Sequence, residues 1–180
     1  TFDSMVSVSC PTMPEYARFE SRVREIYASG MITTHKFVGE LETKLAAYLG
    51  VRNVVAVSSN TSGQMLVLKS LGLKGEVILP SFSFCATSHV VRWNGLSPVF
   101  VDVDPKTCTV DPKAVEAAIT PRTCAILGVH IWGNPCRADE LHALAKRKGL
   151  KFLIDAAQAI GAKLHGRRVG GYGDAEVFSC

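Results

Sequence analysis

From Asn53 onward the chain alternates short β-branched apolar runs with helix-like stretches, and this rhythm restricts the fold more than any other feature of the sequence. The runs are Asn53 to Val57, Glu76 to Leu79, Pro98 to Val101, Cys124 to Val129 and Lys151 to Ile154. Between them lie Ser62 to Leu71, Cys85 to Asn94, Pro112 to Ile119 and Ala138 to Lys148. Such alternation builds βαβ units and a mostly parallel sheet. The runs are continuously apolar rather than alternating, as in strands buried on both faces. The expectation is an α/β fold of three layers, a mostly parallel sheet covered by helices on both faces. With 180 residues, 47% of them apolar and 20% charged, the chain has material for one sizeable core.

Ahead of this rhythm, Glu15 to Ala28 has helical spacing, with Phe19, Val23, Ile26 and Tyr27 on one side, and it stops at Gly30. Phe37 to Leu49 repeats the pattern with Leu41, Leu45, Tyr48 and Leu49 and closes at Gly50. Near the other end, Gly166 to Gly173 reads as a mobile turn feeding a last strand, Ala175 to Ser179. The implied division is an N-terminal arm and helix over 1–36 and a large domain over 37–180.

Several function classes drop out. The formal charge is only +4, and its two basic runs, Lys146 to Lys148 and Arg167-Arg168, are better placed on a helix end and a solvated surface than on nucleic acid. No apolar run is long enough to span a bilayer, and residues 1–25 lack a basic-then-apolar leader pattern. The six cysteines are dispersed without a Cys-x-x-Cys pair, which points to a reducing, cytoplasmic compartment. The five histidines lie far from one another and from any cysteine cluster, so no metal site is expected.

In an open parallel sheet, ligands bind outside the carboxyl ends of the strands. That rule selects Ser58 to Gly63, Pro80 to Phe84, Asp102 to Asp104, His130 to Asn134 and Asp155 to Gln158. The hydroxyl-rich Ser58-Ser59-Asn60-Thr61-Ser62-Gly63 follows an apolar run and opens a helix. It suits a phosphate held by free N–H groups and hydroxyls, and equally a simple helix cap by Ser59, Asn60 or Thr61. Its glycines and lysine do not make a Walker A loop or a dinucleotide fingerprint. Asp155 ends an apolar strand, where a carboxylate suits a protonated ring nitrogen. Asp155-Ala156-Ala157-Gln158 also has the spacing of a capping box. Phe82 and Phe84 fit either a core or a stacking platform, and His130 either lines the same mouth or is a hydrogen-bonded structural residue.

Taken in order, these motifs resemble those of the DegT/DnrJ/EryC1/StrS sugar aminotransferase family, pyridoxal-phosphate (PLP) enzymes of fold type I. The resemblance begins in Gly30-Met31-Ile32 through Phe37 and in Ala46-Ala47-Tyr48-Leu49-Gly50. It continues through Val55 to Gly63, Pro80 to Thr87, Val101-Asp102-Val103-Asp104 and Val129-His130-Ile131-Trp132-Gly133. Asp155-Ala156-Ala157-Gln158-Ala159 and Gly173 to Ser179 complete it. Carried over residue by residue, it implies that Asn60, Thr61 and Ser62 form the phosphate loop, with a hydroxyl from Ser179. Phe84 would lie against the pyridine ring, Asp155 would pair with the ring nitrogen, and Gln158 would sit on the side of the ring's oxygen. Met31, Ile32 and His130 are implied nearest the substrate. Asn60 departs from the family pattern, which usually has glycine there.

The family's Schiff-base lysine follows the serine matched by Ser179 by a few residues, and none of the ten lysines here stands at that position. No catalytic residue is therefore expected within the chain, which reads as the N-terminal part of an enzyme, inactive alone and lacking the C-terminal small domain. The implied reaction moves an amino group from an amino acid, glutamate in the family, to a nucleotide-linked keto sugar. PLP is the cofactor, pyridoxamine phosphate (PMP) its intermediate form, and the implied assembly a homodimer. Two alternatives stand beside it: a PLP/PMP-dependent sugar dehydratase of the same family, in which histidine replaces the lysine, and a non-catalytic cofactor-binding regulatory protein.

Overall fold

The computed structural model describes residues 13–180. They fall into two compact units, Thr1–Glu40 and Leu41–Cys180. In the first, a 3-10 turn at Tyr16–Arg18 leads into α1 (Glu20–Ser29). Phe19, Val23 and Ile26 are half-buried along one side of α1, as their spacing requires, whereas Tyr27 is exposed. The helix is closed by Gly30 at φ 67°, whose N–H reaches the carbonyls of Ile26 and Tyr27. Helix α2 (Lys36–Leu49) begins in this unit, where Lys36 pairs with Glu25, Arg22 pairs with Glu40, and Arg22 and Lys36 both lie over the Phe37 ring.

The second unit holds a five-stranded sheet, every pair parallel, in the order β2-β1-β3-β4-β7. Its strands are β1 (Glu76–Pro80), β2 (Ser97–Val101), β3 (Thr123–Val129), β4 (Lys151–Ala156) and β7 (Ala175–Phe178). Helices α3 (Asn60–Ser70) and α4 (Cys85–Trp93) cover one face, where Leu68, Val90 and Val91 pack on Val77, Leu79, Leu127 and Leu153. Helices α5 (Pro112–Ala118) and α6 (Ala138–Lys148) cover the other, with Val115, Leu141 and Leu144 against Ile78, Ile126, Phe152 and Ile154. The central strands β1, β3 and β4 supply inward side chains to both layers, which is why their sequences are apolar without alternation. The edge strands β2 and β7 are only partly covered.

Two expectations need correction. Residues 53–57 join no ladder among the described residues; they run beside the sheet with Val55 76% exposed, and the Ala56 N–H is satisfied by a Glu42 carboxylate oxygen at 2.9 Å instead of by a neighbouring strand. A β-branched run gives a chain the propensity to extend but does not supply the partner that makes it a strand. The segment 166–173 is not a loose turn. It starts in a hairpin, β5 (Lys163–Leu164) with β6 (Arg167–Arg168), turned by His165 at φ 50° and Gly166 at φ 81°. It then returns to the sheet through the Tyr172 N–H on Glu176 and the Asp174 N–H on the Phe152 carbonyl.

At the amino-terminal rim of the sheet, Glu76 accepts from Thr120 Oγ1 at 2.6 Å and Arg122 Nε at 2.8 Å, a knot that ties the start of β1 to the loop entering β3. All chemistry-bearing segments lie at the opposite rim.

Candidate functional site

Parallel strands deliver their carboxyl ends to one edge, and there a cleft of about 570 Å³ opens. Asn60, Thr61, Phe84, His130, Asp155, Gln158 and Ser179 all line it. Of the residues singled out from sequence, Ser62 is not among them, and Met31 and Ile32 belong to the first unit.

At the start of α3, Ser59 is the N-cap: its Oγ accepts from the Ser62 N–H at 3.1 Å and its carbonyl from the Gly63 N–H at 3.0 Å. Ser62 is thus committed to the cap, its hydroxyl against those of Ser58 and Ser59. The Asn60 and Thr61 N–H groups precede the first intrahelical acceptor and stay available to an anion. The Asn60 side chain spans to β7, donating to the Val177 carbonyl at 2.7 Å. Gly63 lets the first turn of α3 sit against the same strand, since a Cβ there would come within 2.7 Å of Val177 Cγ1.

Asp155 is 5% exposed near the end of β4. Its Oδ2 accepts from Thr87 Oγ1 at 2.8 Å and its Oδ1 from the Ala157 N–H at 3.2 Å. The capping-box alternative fails, because a turn rather than a helix follows and Gln158 does not reach back to Asp155. Gln158 Oε1 instead accepts from the Trp132 N–H at 2.8 Å, which turns its amide NH₂ into the role of free donor. Thr87 escaped the sequence reading. Its signal was present: it shares the buried stripe of α4 with Val90 and Val91, and a hydroxyl on such a stripe needs an acceptor.

His130 follows Val129, the register partner of Asp155, and its N–H donates to the Asp155 carbonyl at 2.9 Å. The imidazole is 1% exposed; Nδ1 accepts from the Cys136 N–H at 3.1 Å, so the ring proton sits on Nε2, which has no protein partner. Burial pushes the pKa down from 6.5 to about 4. The folded chain therefore refuses a proton that the unfolded chain accepts below pH 6.5, and stability falls as the pH drops from 6.5 to about 4. The loss amounts to about 3 kcal/mol. His130→Asn, which keeps an acceptor for the Cys136 N–H and does not titrate, is expected to flatten this part of a plot of urea midpoint against pH. An unchanged slope would place the titrating group elsewhere.

A sequence model of the DegT/DnrJ/EryC1/StrS aminotransferase family matches residues 15–180. The chain belongs to this family. Among curated relatives, it is 39% identical to the dTDP-4-amino-4,6-dideoxy-D-glucose transaminase of Escherichia coli, over 93% of this chain and 45% of that protein. It is 36% identical to the GDP-perosamine synthase of Caulobacter vibrioides, over 97% of this chain and 47% of that protein. The structure of DesI with its TDP-sugar product superposes with a TM-score of 0.92 at 45% identity, covering 98% of this chain and 45% of DesI. NtdA of Bacillus subtilis, solved with bound PMP, gives 0.80 at 36% identity, covering 84% of this chain and 35% of NtdA. The chain thus spans less than half the length of these relatives. Among the described residues no helix is long and apolar enough to cross a membrane, and no cluster of metal-ligating side chains occurs.

Proposed function

We propose that this cleft is the cofactor cradle of a PLP-dependent aminotransferase that transfers an amino group from an amino acid, glutamate by family resemblance, to the keto group of a nucleotide-linked sugar. The supporting observation is a convergence: a helix N-terminus with two uncommitted N–H groups, an aromatic ring 73% exposed at Phe84, and the buried carboxylate of Asp155, all lining one cavity. These groups match the phosphate, the flat heterocycle and the ring nitrogen of PLP. When bound, PLP or its amino form PMP supplies the electron sink that makes the α-hydrogen of an amino acid acidic.

The protein's own residues do the rest. The Asn60 and Thr61 N–H groups, with the Thr61 and Ser179 hydroxyls, hold the phosphate dianion against the positive end of α3. Asp155, fixed by Thr87 and the Ala157 N–H, keeps a proton on the ring nitrogen. Phe84 covers one face of the ring, and Gln158 donates its amide toward the ring oxygen. No lysine lines the cleft, so the reading takes the Schiff-base amine from outside residues 1–180. A cytoplasmic homodimer completes it; the compartment is supported by five described cysteines that are all unpaired.

The test uses the full-length polypeptide carrying these residues. PLP should bind with a visible absorbance band, glutamate should convert it to PMP, and a nucleotide keto sugar should reverse the conversion. Phe84→Ala is expected to weaken PLP retention by roughly tenfold, the worth of one stacked ring, with the donor half-reaction surviving at saturating PLP. Failure of the wild-type protein to take up PLP would end the proposal.

A further inference from the structure

The rim of the cleft carries three exposed aromatic side chains, Phe82, Phe84 and Trp132, and the cofactor reading uses only Phe84. Trp132 has φ 53° and ψ 27°, the left-handed region that a bulky side chain seldom occupies and that costs on the order of 1 kcal/mol. The turn is held there from several sides. The Trp132 N–H is bonded to Gln158, the Asn134 N–H to the Ile131 carbonyl at 2.8 Å, and the Asn134 amide to the Thr107 carbonyl at 2.8 Å. Gly133, at φ 77°, passes so close to the Gln158 carbonyl that a Cβ would lie 3.0 Å from it. The result is an indole kept 66% exposed at the mouth, with the Phe82 ring edge-on behind it at 5.4 Å. A strained backbone that presents a large apolar ring to solvent inside a binding cleft suits a ligand with an apolar face.

Building on the aminotransferase reading, we propose that Trp132, backed by Phe82, is the plate on which the sugar ring of the acceptor rests. A nucleotide sugar offers an indole two flat partners, the base and the sugar, and the reaction geometry chooses between them. The carbon being aminated must approach the cofactor to about 3–3.5 Å, which puts the sugar ring beside the residues bordering the heterocycle. The base lies beyond the diphosphate. Trp132 is tied directly to one bordering residue, Gln158. The C–H face of a pyranose covers an indole well, whereas glutamate, acyclic and charged at both ends, has no such face. Trp132 is therefore a specificity-determining residue for the acceptor and not for the donor.

Steady-state and half-reaction kinetics on the full-length polypeptide with PLP test this. Trp132→Ala is expected to raise KM for the nucleotide keto sugar by roughly tenfold or more. The PLP absorbance band, the glutamate half-reaction and inhibition by the sugar-free nucleoside diphosphate should stay close to wild type, and Trp132→Phe should recover most of the loss. An unchanged KM overturns the proposal. So does an equal loss in the glutamate half-reaction, which would make the turn structural, or a parallel weakening of nucleoside diphosphate inhibition, which would put the indole on the base. Failure of the underlying reading shows separately, as wild-type protein that neither binds PLP nor converts it with glutamate.

Discussion

Asp155→Asn is expected to cut kcat/KM for transamination by about a thousand-fold or more, equivalent to roughly 4 kcal/mol of lost transition-state stabilisation, while leaving the fold intact. The carboxylate is buried and already accepts two hydrogen bonds, from Thr87 and the Ala157 N–H. Asparagine has the same shape and keeps an acceptor for the Ala157 N–H. The Thr87 hydroxyl can rotate to accept from the new amide, so no buried group is orphaned. What disappears is the negative charge that holds a proton on the cofactor's ring nitrogen. Asp155→Ala would combine that loss with two unpaired donors, which is why asparagine is the cleaner probe. Transamination rate and thermal midpoint measured on the same preparation separate chemistry from folding. Near-normal turnover by a well-folded Asp155→Asn protein would remove Asp155 from the assigned role.

Phe152→Ala is expected to cost about 3–5 kcal/mol of stability, a large part of what a domain of this size has to spare. Phe152 is fully buried on β4, with its ring stacked near that of His142 at 6.1 Å and its edge against Gly128, where a Cβ would lie 3.3 Å from the ring. The sheet and α6 close around this side chain, and the Phe152 backbone also anchors Asp174 through bonds to its N–H and carbonyl. Truncation leaves a cavity at the centre of the helical layer and loosens the strand that carries Asp155. Urea unfolding followed by circular dichroism measures the shift in midpoint; a change below about 1 kcal/mol would mean the layer collapses into the gap.

The layered sheet was legible because β1, β3 and β4 are buried on both faces and so carry uninterrupted apolar runs that helical stretches separate. The run at 53–57 looked the same and is not paired, since strand formation depends on a neighbour that local sequence does not encode. The strand-end rule drew attention to Ser58–Gly63, Pro80–Phe84, His130–Asn134 and Asp155–Gln158, and residues of each reach the cleft. Finer assignments depended on three-dimensional bonding. Whether Ser62 faces an anion or closes a cap, and whether Gln158 reaches Asp155 or Trp132, turns on side-chain direction at positions a few residues apart. Thr87 lies 68 positions from Asp155 and meets it only because α4 packs on that face of the sheet.

The knot of Glu76, Thr120 and Arg122 closes the sheet at the rim away from the cleft. Upkeep and chemistry are thereby assigned to opposite poles of the same strands. An engineer wishing to tether this domain to a bead, or to attach a dye, has a natural handle on the far pole, where coupling would leave the route for incoming molecules open.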